Sequence, residues 1–395
     1  MSKDKYISMK KFVSGFSFAN LGLFTGFGSG VINAAYALIL LEIFKNSAMV
    51  GIYVSIYSAF CMIISLFVNE VFRYFSKAKI FYFSMLMLAV CFFMMGFSIK
   101  SGTFIALDFT SGIASVLVTV LIPLFMSDFS KNIGMAKLNA RYHLWLNAGT
   151  LLAPMIGMAI ASHFGNRAVF FAGAAIYCLG WLVFKLFRIV QEDKQPKNVN
   201  PRRTMKYLVK NTISFFKHNG MMRIYLIDFG YYALQTMRFL YIPIIVIEKG
   251  FSKDTLGLIL TLGIIPYIIL SEPMGRLAKK YGNKLWMVIG FLSFAVFSVW
   301  ATFATGWTLL AIFILWQIPG AFLESLHDLL FFDNVKKEEN VKYYGIFKTA
   351  SNLQSFLVPL IGAGFIAFFG RTSAVWILTA VISLLSAWVL LSKKK

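Results

Sequence analysis

One short basic turn reads Gly275-Arg276-Leu277-Ala278-Lys279-Lys280-Tyr281-Gly282-Asn283-Lys284 and lies between two long apolar runs, 254–272 and 285–304. Its cations cannot enter hydrocarbon, so they hold the turn at a membrane surface. A weaker copy, Asn69-Glu70-Val71-Phe72-Arg73-Tyr74-Phe75-Ser76-Lys77-Ala78, also lies between two apolar runs. The pair of turns indicates a chain built as two halves.

The composition is that of a membrane protein. Of the 395 residues, 59% are hydrophobic and 14% are charged, whereas soluble domains are about 25% charged. A spanning helix needs about 20 mostly apolar residues, and only helices satisfy their own backbone groups in lipid. We therefore predict an all-α polytopic membrane protein with 12 transmembrane helices in two pseudo-symmetric six-helix bundles. The predicted spans are 14–42, 48–69, 80–99, 103–126, 143–163, 168–188, 221–247, 254–272, 285–304, 307–332, 344–368 and 372–391.

The net charge of +22 orients the chain and does not indicate nucleic-acid binding. With both termini on one side, that side collects 31 of the 38 Lys and Arg residues, and the opposite side collects six. The remaining cation, Arg238, lies inside the seventh span. Cationic loops stay in the cytoplasm. We therefore predict a multi-pass protein of the cytoplasmic (inner) membrane with both termini cytoplasmic.

One hydrophilic stretch divides the chain. We predict an N-terminal bundle over 1–188, a cytoplasmic linker over 189–220 and a C-terminal bundle over 221–395. Within the linker, apolar residues recur at helical spacing with lysines between them, which predicts an amphipathic helix on the inner leaflet. The residues of this apolar face are Met205, Leu208, Val209, Thr212, Ile213 and Phe216.

The two halves repeat each other. At offsets of 206 and 205, matching pairs are Glu42 with Glu248, Gly51 with Gly257, Asp128 with Asp333, Asn147 with Asn352, and Pro154 with Pro359. Two parallel repeats joined by a cytoplasmic linker are typical of transporters, whose solute site lies near the membrane midplane.

The turn at 275–284 resembles the Gly-x-Leu-Ala-Asp-x-x-Gly-x-Lys/Arg loop motif of the major facilitator superfamily, although Lys279 replaces the acid. In the weaker copy, Arg73 stands at that position. The resemblance covers essentially the whole chain and implies that spans 1, 4, 7 and 10 line a central cavity. The segment Gly149-x4-Pro154-x2-Gly157 partly resembles the glycine-proline motif of the family's antiporters, which favours efflux.

Ionisable residues inside spans are costly and mark functional positions. The seventh span carries Asp228 and Gln235, and the tenth carries Glu324, His327 and Asp328 on one helical face. We expect Asp228, Glu324 and His327 to form a protonatable cluster, with Gln235 and Asp328 as further proton-coupling or substrate candidates. The alternative is that the aspartates lie at wet helix ends and pair with loop cations.

Two further sets of residues are candidates for gating and for the cavity. Asp108 and Arg238 are expected to pair as part of an outer gate; the alternative is that each pairs locally or reaches the interface. Polar and aromatic residues of the cavity-lining spans are expected to contact the solute. These cavity candidates are Asn20, Asn33, Tyr36, Tyr232, Trp316 and Gln317.

Acids at the inner ends of the spans are expected to pair with the basic turns and form a cytoplasmic gate without contacting solute. The residues of this predicted loop motif and gate are Arg73, Asp128, Gly275, Arg276, Lys280, Gly282 and Asp333.

The function predicted from these features is secondary active transport of a small solute by alternating access, coupled to protons and directed outward. Uptake of a sugar-like nutrient, lipid flipping and a non-transporting sensor remain as alternatives. An enzyme is disfavoured, because the four histidines form no catalytic motif, and no phosphate loop is present to power primary transport. We expect no cofactor, no metal site and no nucleic-acid partner; the expected partners are the solute, protons and the lipid bilayer, with the protein acting as a monomer.

Overall fold

The computed structural model describes residues 3–98, 100–133, 135–186, 201–218, 220–335, 343 and 346–392. Six helices form the first part of the chain: α1 (Lys3–Phe44), α2 (Ser47–Tyr74), α3 (Lys77–Phe97), α4 (Ser101–Ile133), α5 (Met135–Phe164) and α6 (Ala168–Leu186). A separate helix, α7 (Pro201–Lys217), follows.

The second part is helical as well, but three of its spans are interrupted. The seventh span consists of α8 (Met221–Thr236), a π-helical turn (Met237–Tyr241) and α9 (Ile242–Glu248). The eighth consists of α10 (Lys253–Leu262) and α11 (Ile265–Tyr281), the ninth is α12 (Asn283–Phe303), and the tenth consists of α13 (Gly306–Leu315) and α14 (Gln317–Asn334). The last two contain α15 (Thr349–Phe369) and, after a 3₁₀ turn (Thr372–Ala374), α16 (Val375–Leu391).

The described part of the chain contains 12 helical stretches that are long and apolar enough to cross a membrane. They run from Asn20–Phe44 to Thr372–Leu391 and agree in number and order with the predicted spans. The prediction of an all-helical protein with 12 spans is therefore confirmed.

The chain forms two compact units. The N-terminal unit comprises Met1–Ile39 and Phe60–Lys197, and the C-terminal unit comprises Leu40–Ala59 and Asn198–Lys395. This division differs from the predicted one at Leu40–Ala59. Within the C-terminal unit, a Cβ added to Gly51 of α2 would lie 2.7 Å from the Pro359 carbonyl oxygen and 2.7 Å from the Tyr241 hydroxyl. Because only glycine permits this approach, the start of α2 packs closely on α15 and the seventh span.

In the N-terminal unit, α1 and α5 approach each other closely. A Cβ on Gly22 would lie 2.5 Å from the Tyr142 carbonyl oxygen, and one on Gly157 would lie 2.5 Å from the Val31 carbonyl oxygen. Small residues let two helix backbones pack without intervening side chains. The glycine of the antiporter-like segment thus has a packing role between these two helices.

Helix α7 packs on the C-terminal unit through Phe215, which is fully buried beside Tyr225 and Tyr343. The Ser214 and Tyr343 hydroxyls are 2.9 Å apart and hydrogen-bonded. Val209 and Ile213 are exposed on the same helix. The helix therefore has one face attached to the protein and another apolar face left open.

Candidate functional site

Three prolines explain why the seventh, eighth and tenth spans are interrupted. An α-helical N–H bonds to the carbonyl four residues earlier, and proline has no N–H. Pro243, Pro266 and Pro319 each follow one of the breaks by a few residues. At the first break, the Ile242 N–H reaches back to the Met237 carbonyl, which makes the π-helical turn. Such turns often lie at functional sites, because they change the face on which side chains emerge.

A buried acid and a buried histidine meet between α8 and α14. Nδ1 of His327 lies 2.6 Å from Oδ1 of Asp228, and the Asp228 side chain is 1% exposed. The other carboxylate oxygen, Oδ2, is buried without a hydrogen-bond partner among the described residues. Inside a membrane-spanning bundle, the pair therefore combines the His327 imidazole, which can donate or accept a proton, with a carboxylate oxygen of Asp228 that has no hydrogen-bond partner among the described residues.

Aromatic rings enclose the histidine. Tyr231 stacks on the His327 ring with centroids 4.3 Å apart, and Tyr232 meets it edge-on at 5.5 Å. Nζ of Lys348 donates to the Tyr232 hydroxyl at 3.2 Å. The rings exclude water from the imidazole, so a proton held there is shielded from bulk solvent.

Glu324 lies one turn before His327 on α14, and its side chain is exposed. Arg238 and His327 both interact electrostatically with the Glu324 carboxylate. Asp328 belongs to α14, and its side chain is outside the described part of the structure. The arrangement places one exposed acid beside the buried Asp228–His327 pair.

Tyr267 joins the three interrupted spans. Its hydroxyl accepts a hydrogen bond from Nε2 of Gln235 at 3.1 Å and donates to Oε1 of Gln317 at 3.4 Å. A Cβ on Gly320 would collide with this hydroxyl, and a Cβ on Gly263 would lie 2.9 Å from Cγ of Gln317. The breaks and the two glycines thus make room for a polar centre in the middle of the C-terminal unit.

Arg238 lies in the π-helical turn and is 5% exposed. Its guanidinium carbon is 4.8 Å from the centroid of the Tyr267 ring and 4.9 Å from that of Phe239. Its Nε is buried without a hydrogen-bond partner among the described residues. The cation is therefore held by aromatic faces.

In the N-terminal unit, the Tyr36 hydroxyl donates to Oδ2 of Asp108 at 2.6 Å, and Asp108 is buried. Asn33 is exposed and Asn20 is partly exposed on the same helix as Tyr36. The expected pairing of Asp108 with Arg238 would join the two units and stays a prediction.

Two cavity candidates lie in different surroundings from each other. Gln317 belongs to the polar centre around Tyr267. Trp316 is 1% exposed, packs against Phe294 and Trp376, and donates from Nε1 to the Ser298 hydroxyl at 3.1 Å. The ring fills the packed interior between α12 and the last span, and contact of Trp316 with solute stays a prediction.

The predicted cytoplasmic-gate residues are only partly described. Lys280 is exposed with its ammonium 4.9 Å from the Tyr281 ring centroid, and Gly282 adopts a φ of 89° where α11 meets α12. That positive φ explains the glycine at the turn. The side-chain surroundings of the remaining gate residues, Arg73, Asp128, Gly275, Arg276 and Asp333, lie outside the described part.

Sequence reasoning missed Tyr267 and Lys348. The signal for Tyr267 was the nearby Gly263 and Pro266, which mark a break in the eighth span. Lys348 directly precedes α15, and nothing in the sequence indicates its contact with Tyr232. Among the residues that the structure describes, no group of three or more His, Cys, Asp or Glu side chains is arranged to hold a metal ion.

Similar proteins agree with this architecture. A curated relative from Lactococcus lactis subsp. lactis (strain IL1403), named a multi-drug resistance efflux pump PmrA homolog, is 25% identical over 228 residues. That match covers 56% of this chain and 55% of the relative, so the chain spans about half the length of the curated relative it matches.

Several solved structures have a similar fold over nearly the whole chain. They include the nucleoside transporter NupG, at 15% identity and a TM-score of 0.74, covering 97% of this chain and 98% of that one. A D-xylose-proton symporter shows 17% identity and a TM-score of 0.73, with coverage of 96% and 97%. A POT family transporter in complex with a thioalcohol-conjugated peptide shows 10% identity and a TM-score of 0.78, with coverage of 95% of both chains. At these identities the likeness shows the fold alone.

The profile of the Major Facilitator Superfamily matches residues 18–247 and 224–395, which together make up nearly the whole chain. Its 12 spans and its likeness to transporters of known structure agree with that match. The chain therefore belongs to the Major Facilitator Superfamily and is a multi-pass membrane transporter, not an enzyme.

Proposed function

We propose that this transporter is coupled to protons and exports a small solute in exchange for them. The observation that carries the proposal is the buried Asp228 carboxylate, with one oxygen on His327 and the other without a partner among the described residues. A buried carboxylate that is hydrogen-bonded to an imidazole inside a membrane span is a group able to bind and release a proton.

Glu324 supplies the route by which a proton reaches the buried pair. It is exposed, it precedes His327 by one helical turn, and the two side chains interact electrostatically. A proton accepted at Glu324 passes to the imidazole and then to Asp228, where Tyr231 shields it from solvent. The transporter exchanges solute for protons if it can bind the solute or the proton but not both at once.

Export is favoured over uptake by two observations. The first observation is the match to a protein named as a multidrug efflux pump homolog. The second is the antiporter-like segment Gly149-x4-Pro154-x2-Gly157 in α5. The likeness to a D-xylose-proton symporter concerns the fold, so it does not set the direction of transport.

Luminal pH in proteoliposomes tests the coupling directly. Vesicles containing the protein and a trapped fluorescent pH dye would receive ethidium, uridine, D-xylose or alanyl-alanine from outside. Exchange predicts that at least one of these solutes makes the lumen more alkaline, whereas symport predicts acidification. Asp228→Asn should reduce the rate of this change about 100-fold or more, because the positioned proton acceptor is lost. Asp254→Asn, which alters an exposed acid of α10, should not.

Three results would refute the proposal. Acidification of the lumen would exclude exchange, and equal rates in the wild type and Asp228→Asn would exclude this proton site. Solute uptake without any change in luminal pH would exclude proton coupling altogether.

We further propose that the protein lies in the cytoplasmic membrane with both termini in the cytoplasm, as the distribution of cations favours. After Cys61, Cys91 and Cys178 are replaced by serine, Lys217→Cys and Lys249→Cys give two single-cysteine variants at exposed positions. An impermeant maleimide added to intact cells should label the cysteine introduced at 249 and spare the one at 217. The opposite pattern would reverse the orientation.

We also propose that the transporter acts as a monomer, because each unit has its own packed interior. Light scattering of the detergent-solubilised protein, with the detergent mass subtracted, should give one chain of 44.6 kDa. A stable dimer mass across dilution would contradict this.

A further inference from the structure

Arg238 is a buried cation that forms no ion pair with a carboxylate among the described residues. It is 5% exposed and lies in the π-helical turn of the seventh span. In the part of the chain that the structure describes, no carboxylate forms an ion pair with it, and its Nε has no hydrogen-bond partner. A guanidinium cannot be deprotonated in a protein, so its permanent positive charge would stabilise an anion bound beside it.

Two aromatic rings hold this guanidinium, and its buried Nε–H has no acceptor among the described residues. Its carbon lies 4.8 Å from the Tyr267 ring centroid and 4.9 Å from that of Phe239. Tyr267 is itself fixed by Gln235 and Gln317. A guanidinium carries five N–H donors, so contacts with two rings leave donors available to a ligand. The side chain is thus oriented before any ligand arrives.

The chemistry of these donors identifies the ligand. A guanidinium edge matches a carboxylate or a phosphate group, with two parallel charge-assisted hydrogen bonds. Glu324 acts on Arg238 electrostatically but forms no ion pair with it, so the edge is not already occupied by that acid. We propose that the transported solute carries a carboxylate or phosphate group and that Arg238 binds this group, with Tyr267, Gln235 and Gln317 forming the neutral polar wall beside it. This inference rests on the proposed transport function and names the class of solute.

Ligand-induced thermal stabilisation of the purified transporter tests the inference. The probes are benzoate and phenyl phosphate, with benzamide as a neutral molecule of similar shape, all at constant ionic strength. The variants are Arg238→Gln and Arg238→Lys, with Lys217→Gln as a control that removes an exposed cation from α7. We expect saturable stabilisation by at least one anion in the wild type and in Lys217→Gln, and none by benzamide. In Arg238→Gln the apparent affinity should fall about tenfold or more, and in Arg238→Lys, which keeps the charge but loses the fork, it should fall less.

The melting temperature without ligand separates binding from a structural role. Because Arg238→Gln removes an uncompensated buried charge, we expect its melting temperature to equal or exceed that of the wild type. A clear decrease would mean that the cation–π contacts hold the fold and would overturn the proposal. Unchanged anion affinity in Arg238→Gln, equal stabilisation by benzamide, or no anion-dependent stabilisation of the wild type would overturn it as well.

Failure of this inference can be distinguished from failure of the proposed function. If Asp228→Asn abolishes solute-driven pH changes while Arg238→Gln retains full anion affinity, proton coupling stands and the anion site is wrong. If anion affinity depends on Arg238 but no solute changes the luminal pH, the anion site stands and proton coupling is wrong.

Discussion

Nδ1 of His327 on α14 lies 2.6 Å from Oδ1 of Asp228 on α8, and both side chains are buried. Because the two residues lie 99 positions apart, their contact ties two spans together as well as forming the proposed proton site. Removing one member leaves the other buried without its partner, which costs more than removing both.

A double-mutant cycle should reveal this interaction. Asp228→Ala and His327→Ala should each lower the free energy of unfolding, and the double variant should lose less than the sum. We expect a coupling energy of about 0.5–3 kcal/mol, measured by denaturant unfolding in detergent micelles. A control cycle with Asp254→Ala in place of Asp228→Ala should be additive. Additivity in the first cycle as well would mean that the pair does not interact in solution.

Tyr231 should affect transport through its ring more than through its hydroxyl. The ring stacks on His327 at 4.3 Å with an interplanar angle of 23°, and such a contact contributes about 0.5–1.5 kcal/mol. Tyr231→Leu should therefore slow solute-driven proton movement about two- to tenfold, whereas Tyr231→Phe should retain it. If the phenylalanine variant were as slow as the leucine variant, the hydroxyl would be the functional part, and the stacking explanation would fail.

The sequence predicts the spans well because one physical rule governs them. About 20 apolar residues are needed to cross the hydrocarbon, and each of the 12 predicted runs overlaps one span of the structure. The same rule does not register the breaks near Pro243, Pro266 and Pro319, because an interrupted helix is as apolar as a continuous one. The prolines carried the information, but the choice between a kink and a π-helical turn depends on packing.

From the sequence, residues of the candidate site could be predicted only where an ionisable side chain lies inside an apolar span. Asp228 and His327 could be selected because ionisable groups are rare within spans, and the structure brings them together. Tyr267 and Trp316 could not be distinguished in this way, since both are aromatic residues of apolar runs. Tyr267 is the centre of a polar network, whereas Trp316 fills the interior. Only the contacts of each ring reveal this difference.

Gly320 should be required for the polar centre around Tyr267. A Cβ at this position would meet the Tyr267 hydroxyl, and crowding of this kind costs about 1–3 kcal/mol. We expect Gly320→Ala to lower the free energy of unfolding by that amount. The double variant Gly320→Ala, Tyr267→Phe removes the nearest contact and leaves the ring carbon Cζ 2.9 Å from the added Cβ, so part of the lost stability should return.

Gly364 of α15 provides the matched control, because an added Cβ would meet nothing within 4 Å. Gly364→Ala should leave stability unchanged or raise it by about 0.4–1 kcal/mol. Equal losses in the two glycine variants would show that helix flexibility matters at both positions and that the space beside Tyr267 does not.

Helix α7 should depend on Phe215 for its attachment to the C-terminal unit. Phe215 is fully buried in the cluster that contains Tyr225, Phe331 and Tyr343, whereas Ile213 on the same helix is 51% exposed. Truncating a buried phenylalanine costs about 3–5 kcal/mol, while a surface substitution changes stability by about 0.5 kcal/mol or less. We therefore expect limited proteolysis of the transporter in detergent to cleave Phe215→Ala within α7 much faster than the wild type, and to leave Ile213→Ala unaffected.

In lipid vesicles the Ile213 variant gives a second readout, because its exposed apolar face is the one available to the bilayer. Faster cleavage of Ile213→Ala than of the wild type in vesicles would support attachment of this face to the membrane, whereas equal cleavage of all three proteins in detergent would show that Phe215 does not anchor the helix.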